Sequence, residues 1–377
     1  VALRSAIDQP DGRARYTVER PAGNTTPAER SRIRREKDME LLKELSEAAG
    51  VPGCEEAIAE IIKRELEGCV DSISVDAMGN VIAFKGGKAK QRQKVMFAAH
   101  MDEIGFYVSF VDDRGFVRLQ EVGGFDTRNL FARRVVVHTS KGPLRGVLNP
   151  TGRALHVASP EEKRAYKEVS DFYVDLGLPG KQVSKVVQIG DMVTLDAPFV
   201  EYGEYASGKC LDNRVQVYVG IKVLQSLKAP KNDIYGVFTV QEEVGLRGAF
   251  TSTYGIAPDI GICLDTTVAS DIPGIPAEQR VTTLGQGVGI KVLDGSVISD
   301  RKLVQHFVSL AKKNRIKYQM EVLPRGGTDA GAMQRSRAGV RTATLSVPTR
   351  YIHTVTETVH KADVRATEAL LRVFLQS

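Results

Sequence analysis

From Val95 to Ala99 the chain is apolar without a break, and it then stops on His100. A run of that kind, bounded by polar connections, is the signature of a strand buried on both faces of a parallel sheet. Comparable runs lie at 234–240, 260–264, 288–292 and 342–347. Between them apolar residues recur three and four apart. Met39, Leu41, Leu42, Leu45, Ala48 and Ala49 do so up to Gly50, and Ala57, Ile58, Ile61, Ile62 and Leu66 do so up to Gly68. The same spacing follows Asp212, from Val215 to Leu227, and returns over 303–314 and from about Lys361 onward. A helix with one buried face is the physical reading of this period. Shorter strands are expected at 70–75, 81–84 and 318–323.

The middle of the chain reads differently. From about Gly105 to Val200 short strand patterns follow one another at 106–111, 116–122, 135–139, 144–148 and 191–195, with turn residues between them and few helical patterns. The expected fold class is α/β: a mixed, largely parallel sheet flanked by helices, formed by residues 38–104 and 201–377 and split by a β-rich domain inserted over 105–200. Residues 1–37 are rich in Arg, Pro, Thr and Gly without apolar periodicity, which predicts a poorly ordered extension.

Composition narrows the class of function. With 42% hydrophobic and 26% charged residues, the chain resembles an ordinary soluble globular protein. Its net charge of +6 matters only if it is concentrated. Residues 1–37 carry nine Lys and Arg against five Asp and Glu, which leaves 43 against 41 in the body. A nearly neutral body offers no electrostatic case for nucleic-acid binding. No apolar run approaches the roughly 18–20 residues that span a bilayer, and there is no secretory pattern. Cys54, Cys69, Cys210 and Cys263 show no C-x-x-C spacing, which predicts reduced thiols in a cytoplasmic protein.

The polar residues that end the buried runs carry the chemistry. His100, Asp212, Glu243, Asp265 and His353 each stand at the end of a strand or just after a loop, and in open α/β sheets ligands bind at the C-terminal ends of the strands. Five such groups at one sheet edge would hold two divalent ions, with Zn²⁺ and Co²⁺ both suited to mixed imidazole and carboxylate donors. Glu242 and Glu243 follow the apolar run 237–240, and neighbouring side chains on extended backbone point to opposite sides, so the pair can divide into two roles.

Six segments together resemble the M42 family of metalloaminopeptidases, which includes glutamyl aminopeptidases and tetrahedral, dodecameric aminopeptidases. They are Ala99-His-Met-Asp-Glu-Ile-Gly105, Leu211-Asp-Asn-Arg214, Gln241-Glu-Glu-Val-Gly245, Leu264-Asp265, Gly326-Gly-Thr-Asp-Ala330 and Arg350-Tyr-Ile-His353. The resemblance runs from about Asp38 to the C-terminus and includes the insert. It implies that Asp212 bridges two metals, that His100 and Asp265 complete one site, and that Glu243 and His353 complete the other. It further implies Glu242 as the general base that activates water, Asp102 as a carboxylate fixing the His100 imidazole, and a cis peptide bond after Asp212. Thr328 and Asp329 would line the substrate pocket, although the glycines before them also suit a simple tight turn.

The expected function is therefore the hydrolysis of N-terminal residues from short peptides. The insert resembles the family's dimerisation domain, which implies a homo-oligomer, a dimer or a dodecamer. Two other classes compete with this reading. An endoglucanase-type glycosidase needs two carboxylates flanking one bond but not the converging histidines. A non-catalytic peptide-binding scaffold of the same fold would lack a ligand or the base, and none is missing here.

Overall fold

A computed structural model describes residues 39–154 and 156–377. The expected extension over 1–37 lies outside them. The chain divides into two compact units, 1–41 and 42–377. Of the first, only the helical residues 39–41 are described, and the account below concerns the second.

After helical residues 42–47 the elements follow in order: α1 (Glu56–Leu66), β1 (Ser72–Val75), β2 (Val81–Lys85), β3 (Lys94–His100), β4 (Gly105–Val111), β5 (Val117–Val122), β6 (Arg133–Thr139), β7 (Gly142–Pro150), α2 (Pro160–Arg164), β8 (Phe172–Asp175), α3 (Gly180–Val186) and β9 (Met192–Leu195). Next come β10 (Val200–Tyr202), β11 (Tyr205–Gly208), α4 (Leu211–Ser226), β12 (Asp233–Thr239), α5 (Arg247–Ile256), β13 (Ile260–Val268) and β14 (Val288–Leu293). The chain closes with α6 (Arg301–Lys313), β15 (Tyr318–Val322), α7 (Asp329–Gln334), β16 (Arg341–Arg350), β17 (Glu357–His360) and α8 (Lys361–Gln376).

Eleven strands form one mixed sheet in the order β1-β2-β12-β3-β13-β16-β17-β11-β10, with β14 and β15 branching from β16. The continuous apolar runs make its centre, where β12, β3, β13 and β16 lie parallel to one another. Strands β4 to β9 close separately into an antiparallel barrel in the order β4-β5-β8-β7-β6-β9. Its interior is filled by alternate strand residues such as Phe106, Val108, Val135, Val137 and Val193, as period-2 strands with one buried face require. The expected α/β class with a separate β-rich unit is what the chain adopts. Strand β10 already belongs to the large sheet.

Four helices escaped the apolar pattern, α2 and α3 in the insert and α5 and α7 in the large sheet's layer of helices. In α5 the buried positions are Gly248, Ala249, Ser252, Thr253 and Ile256. They have helical spacing, but small and polar residues carry it, so a hydrophobic period does not register. Helix α7 begins at Asp329, directly after the segment for which a tight turn also fitted. Helix α4 opens irregularly: Asp212 and Asn213 are non-helical, and the peptide bond between them is cis.

Candidate active site

Because β3, β12 and β13 are parallel, their C-terminal ends reach the same edge of the sheet. His100 is the last residue of β3, Asp265 sits on β13, and Glu242 and Glu243 follow β12. Asp212 opens α4, and His353 lies in the turn between β16 and β17. These residues come from segments up to 253 positions apart in the chain, between His100 and His353.

They converge on Asp212. Its Oδ1 lies 3.2 Å from His100 Nε2, which is also 3.9 Å from Asp265 Oδ1. Its Oδ2 lies 3.7 Å from His353 Nε2, which is 3.5 Å from Glu243 Oε1. Each carboxylate oxygen of Asp212 thus faces a different histidine and acid pair. Ligand atoms of His100, Asp212 and Glu243 all lie within 4.8 Å of one another. A cavity of about 600 Å³ is lined by all six of His100, Asp212, Glu242, Glu243, Asp265 and His353, with Thr328 on its wall.

The crowding of buried acids sets the electrostatics. Burial, reinforced by Asp265 and Glu243, pushes the Glu242 carboxyl well above its usual range. Burial does the same to Asp265, against the pull of His100. Burial disfavours a charged imidazole, but Glu242, Asp102 and Asp212 outweigh it and hold His100 well above the ordinary value. Glu243 and Asp212 overcome burial at His353 and bring it to about 10. Asp212 is pushed up by burial, yet His100 and His353 hold it below the usual carboxylate value. In such a cluster a bound cation would relieve the repulsion among the buried acids.

The chain holds these groups in place through residues that no apolar or charge pattern singles out. Asn213 Nδ2 donates to Leu264 O at 2.9 Å, Gln216 Nε2 to Asp265 O at 2.6 Å, and Arg214 Nε to Met101 O at 2.6 Å. One turn of α4 therefore fastens the main chain beside Asp265 and beside His100. Glu357 accepts from Asp212 N at 2.8 Å and from His353 N at 2.7 Å, and burial and Asp212 raise its carboxyl to about 8. Asp102 accepts from Glu242 N and Glu243 N, both at 3.0 Å. His100 Nδ1 is 3.1 Å from Asp102 O and 3.5 Å from the Asp102 carboxylate. The side chain of Asp102 thus orders the Glu242–Glu243 backbone, and its main-chain oxygen makes the shorter contact with the imidazole. Asn80 clamps the two ends of the same loop, accepting from Val240 N at 3.0 Å and donating to Gly248 O at 3.1 Å. Asn213 and Arg214 stand inside the segment 211–214 that carries the family resemblance, although no role was expected of them. Asn80, Gln216 and Glu357 left no signal in the sequence.

Thr328 and Asp329 separate. Thr328 lines the cavity and donates from Oγ1 to Asp294 Oδ2 at 3.1 Å. Asp329 lies behind that wall, accepting from Thr239 Oγ1 at 2.5 Å, with burial raising its carboxyl to about 6. Lys291, absent from the expected site, also lines the cavity. It is fully buried, and its Nζ lies 3.0 Å from Glu321 Oε1 and 3.4 Å from Asp294 Oδ2. The other histidines have ordinary settings, as His138 paired with Thr194 at 2.9 Å illustrates.

A mixed sheet that gathers imidazoles and carboxylates at the C-terminal edge of its parallel strands defines the class, a metal-dependent hydrolase. The family model for M42 glutamyl aminopeptidase matches residues 79–370. A putative aminopeptidase of Acetivibrio thermocellus is 40% identical over 339 residues, covering 89% of this chain and 98% of that protein. Among solved structures, an aminopeptidase from the archaeon Desulfurococcus kamchatkensis superposes with a TM-score of 0.87 at 37% identity, covering 91% of this chain and 95% of that one. The TET1 peptidase of Pyrococcus horikoshii, described as assembling into a tetrahedron or a large octahedral shell, gives 0.80 at 33% identity, covering 90% and 99%. The chain belongs to the M42 glutamyl aminopeptidase family. It is a hydrolase of the exopeptidase class, an aminopeptidase.

Proposed function

We infer that the chain is a dinuclear metalloaminopeptidase that removes N-terminal residues from short peptides. The observation that carries this reading is the division of Asp212, one oxygen toward His100 and Asp265 and the other toward His353 and Glu243. A bridging carboxylate between two donor pairs is a fitting arrangement for two divalent ions, and imidazole with carboxylate oxygen suits Zn²⁺ or Co²⁺. When bound, such ions polarise a carbonyl and acidify water. Glu242, which lines the same cavity as the four histidine and acid partners of Asp212, would as its carboxylate take the proton of the attacking water and return it to the leaving amine. Glu243 stands beside His353 as a ligand, so the two neighbours divide the work. Asp102 positions both through their amides and the imidazole of His100 through its main chain. The acid-lined cavity favours a substrate that presents a free α-ammonium group, Thr328 contacts the substrate, and Asp329 supports that wall from behind.

The barrel over 105–195 is assigned to contacts between subunits of a dimer or a dodecamer, and the assembly of the TET1 peptidase into a tetrahedron or an octahedral shell supports a homo-oligomer. The four free thiols suit a reducing cytoplasm. No helix among the described residues is long and apolar enough to cross a membrane.

Glu242→Gln is the direct test. Its expected outcome is retained metal and assembly, with hydrolysis of aminoacyl chromogenic substrates reduced by orders of magnitude. Near-normal turnover would remove Glu242 from the role of base. Chelation separates the peptidase from the glycosidase. Peptide hydrolysis that is lost on chelation and restored by Zn²⁺ or Co²⁺ supports the former. Cleavage of a β-glucan that survives chelation supports the latter.

A further inference from the structure

The loop that carries Glu242 and Glu243 reverses direction in a costly conformation. Gln241 has φ of 55° and Leu246 has φ of 59°, the left-handed region that non-glycine side chains rarely adopt. A loop bent this way keeps its shape only where its amides are fully engaged. Three of its later amides bond within the loop: Gly245 N and Leu246 N donate to Glu242 O, and Arg247 N donates to Gln241 O. Glu242 N and Glu243 N are taken by Asp102. The amide at the left-handed residue itself, Gln241 N, donates to Glu55 Oε1 at 3.0 Å.

Glu55 is unusual for its position. It is the residue that precedes α1, where a side chain ordinarily caps the helix's own amides. Glu55 makes no such cap. Its Oε1 accepts instead from Gly53 N at 2.9 Å and, 186 positions along the chain, from Gln241 N. The side chain is buried, at 5% exposure. A buried carboxylate that makes no helix cap and accepts instead from two amides, one of them at the left-handed residue next to two functional acids, serves geometry.

We propose that Glu55 is a positioning residue for the active site, which fixes the left-handed turn at Gln241 and through it aims Glu242 and Glu243. This rests on the assignment of Glu242 as base and Glu243 as metal ligand. Two side chains then divide three consecutive amides: Glu55 takes Gln241 N, and Asp102 takes the next two. Loss of Glu55 frees the pivot of the loop but leaves every group that meets metal or substrate in the chain.

Glu55→Gln keeps an acceptor oxygen for both amides, whereas Glu55→Ala removes it and Glu55→Asp withdraws it by one methylene. Each full-length variant is stripped of metal and titrated with Zn²⁺ against a chromogenic chelator. kcat and KM on a leucine chromogenic substrate are then measured at saturating Zn²⁺, well below the melting temperature of each variant. For Glu55→Ala and Glu55→Asp the weaker Zn²⁺ affinity is expected to fall by about 10–100-fold, the range found when an outer-shell partner of a metal site is lost. kcat is expected to fall by a similar factor, with KM within about threefold of the parent. Glu55→Gln is expected to match the parent in all three quantities. Should Glu55→Ala not fold, Glu55→Asp and Glu55→Gln make the same comparison. Parent-like affinity and kcat in Glu55→Asp, or a Glu55→Gln variant as impaired as the others, overturns the proposal. Glu242→Gln, assayed alongside, tells the two assignments apart. If it stays active, the assignment of the base fails. If it is inactive while Glu55→Asp is parent-like, only the role of Glu55 fails.

Discussion

Beneath Asp212 lies a buried charge cluster whose removal has a calculable cost. Glu103, 2% exposed, accepts from Lys209 Nζ at 2.7 and 2.9 Å and from Gly50 N at 3.1 Å, and it lies 3.7 Å from Arg214 Nη2. Burial pushes its carboxyl up, but Lys209 and Arg214 together prevail and hold it below the usual value. At an effective dielectric of about 20, an ion pair at these separations amounts to about 6 kcal/mol for Lys209 and about 4 kcal/mol for Arg214. In Glu103→Gln the neutral amide oxygen recovers part of that, and Arg214 keeps its carbonyl acceptors at Met101, Leu45 and Ala48. The substitution is therefore expected to destabilise the fold by about 3–5 kcal/mol, the usual cost of leaving a buried charge uncompensated.

The assay is urea unfolding at fixed protein concentration, followed by far-UV circular dichroism because the chain contains no tryptophan. Glu103 has a depressed folded value, so its contribution is present above the unfolded value near 4.5 and is lost as pH falls through the folded one. The difference between parent and variant should accordingly be full at pH 7 and shrink below about pH 4.5. Removing both charges in Glu103→Gln/Lys209→Met should recover much of the loss. A single variant within about 1 kcal/mol of the parent at pH 7, or a double variant less stable than the single, would refute the reasoning.

Other outcomes follow from the same geometry. Gln216→Ala leaves the Asp265 and Leu345 carbonyls without their donor and should cost about 2–4 kcal/mol in unfolding free energy. A Cβ on Gly248 would collide with Asn80 Oδ1 and would meet Val240 O at 2.5 Å. Gly248→Ala should therefore lower the melting temperature and reduce kcat, whereas Gly255→Ala, with open space around it, should do neither. Lys291→Met strips two buried carboxylates of their cation and should destabilise by about 3–5 kcal/mol, read by the same urea titration.

The central strands were legible because burial on both faces requires unbroken apolar sequence, and the ends of those runs named His100 and Asp265 directly. Helices α1, α6 and α8 were legible because one buried face repeats apolar residues three and four apart, whereas α4, also expected to bury one face, is buried on nearly every side from Leu211 to Leu224. Helix α5 was not legible, since its buried positions include Gly248, Ser252 and Thr253, which pack through small size rather than hydrophobicity. Five of the insert's six barrel strands were visible, β8 being the one not expected, but their closure into a barrel depends on pairings such as β4 with β9, whose residues are more than eighty positions apart.

The candidate site divides along the same line. Sequence by itself determined which side chains are able to bind a cation or move a proton, because imidazole and carboxylate are properties of single residues; of the five expected ligands His100 does end a buried strand, whereas Asp265 lies inside β13, Glu243 follows β12, Asp212 opens α4 and His353 lies in a turn. Tertiary structure alone decided that Asp212 turns one oxygen to each histidine, that Asp329 stands behind the wall that Thr328 lines, and that Glu55, Asn80 and Glu357 hold the loops. Those are facts of distance and direction between distant segments, and hydrogen bonds that act over about 3 Å leave no period in the chain that makes them.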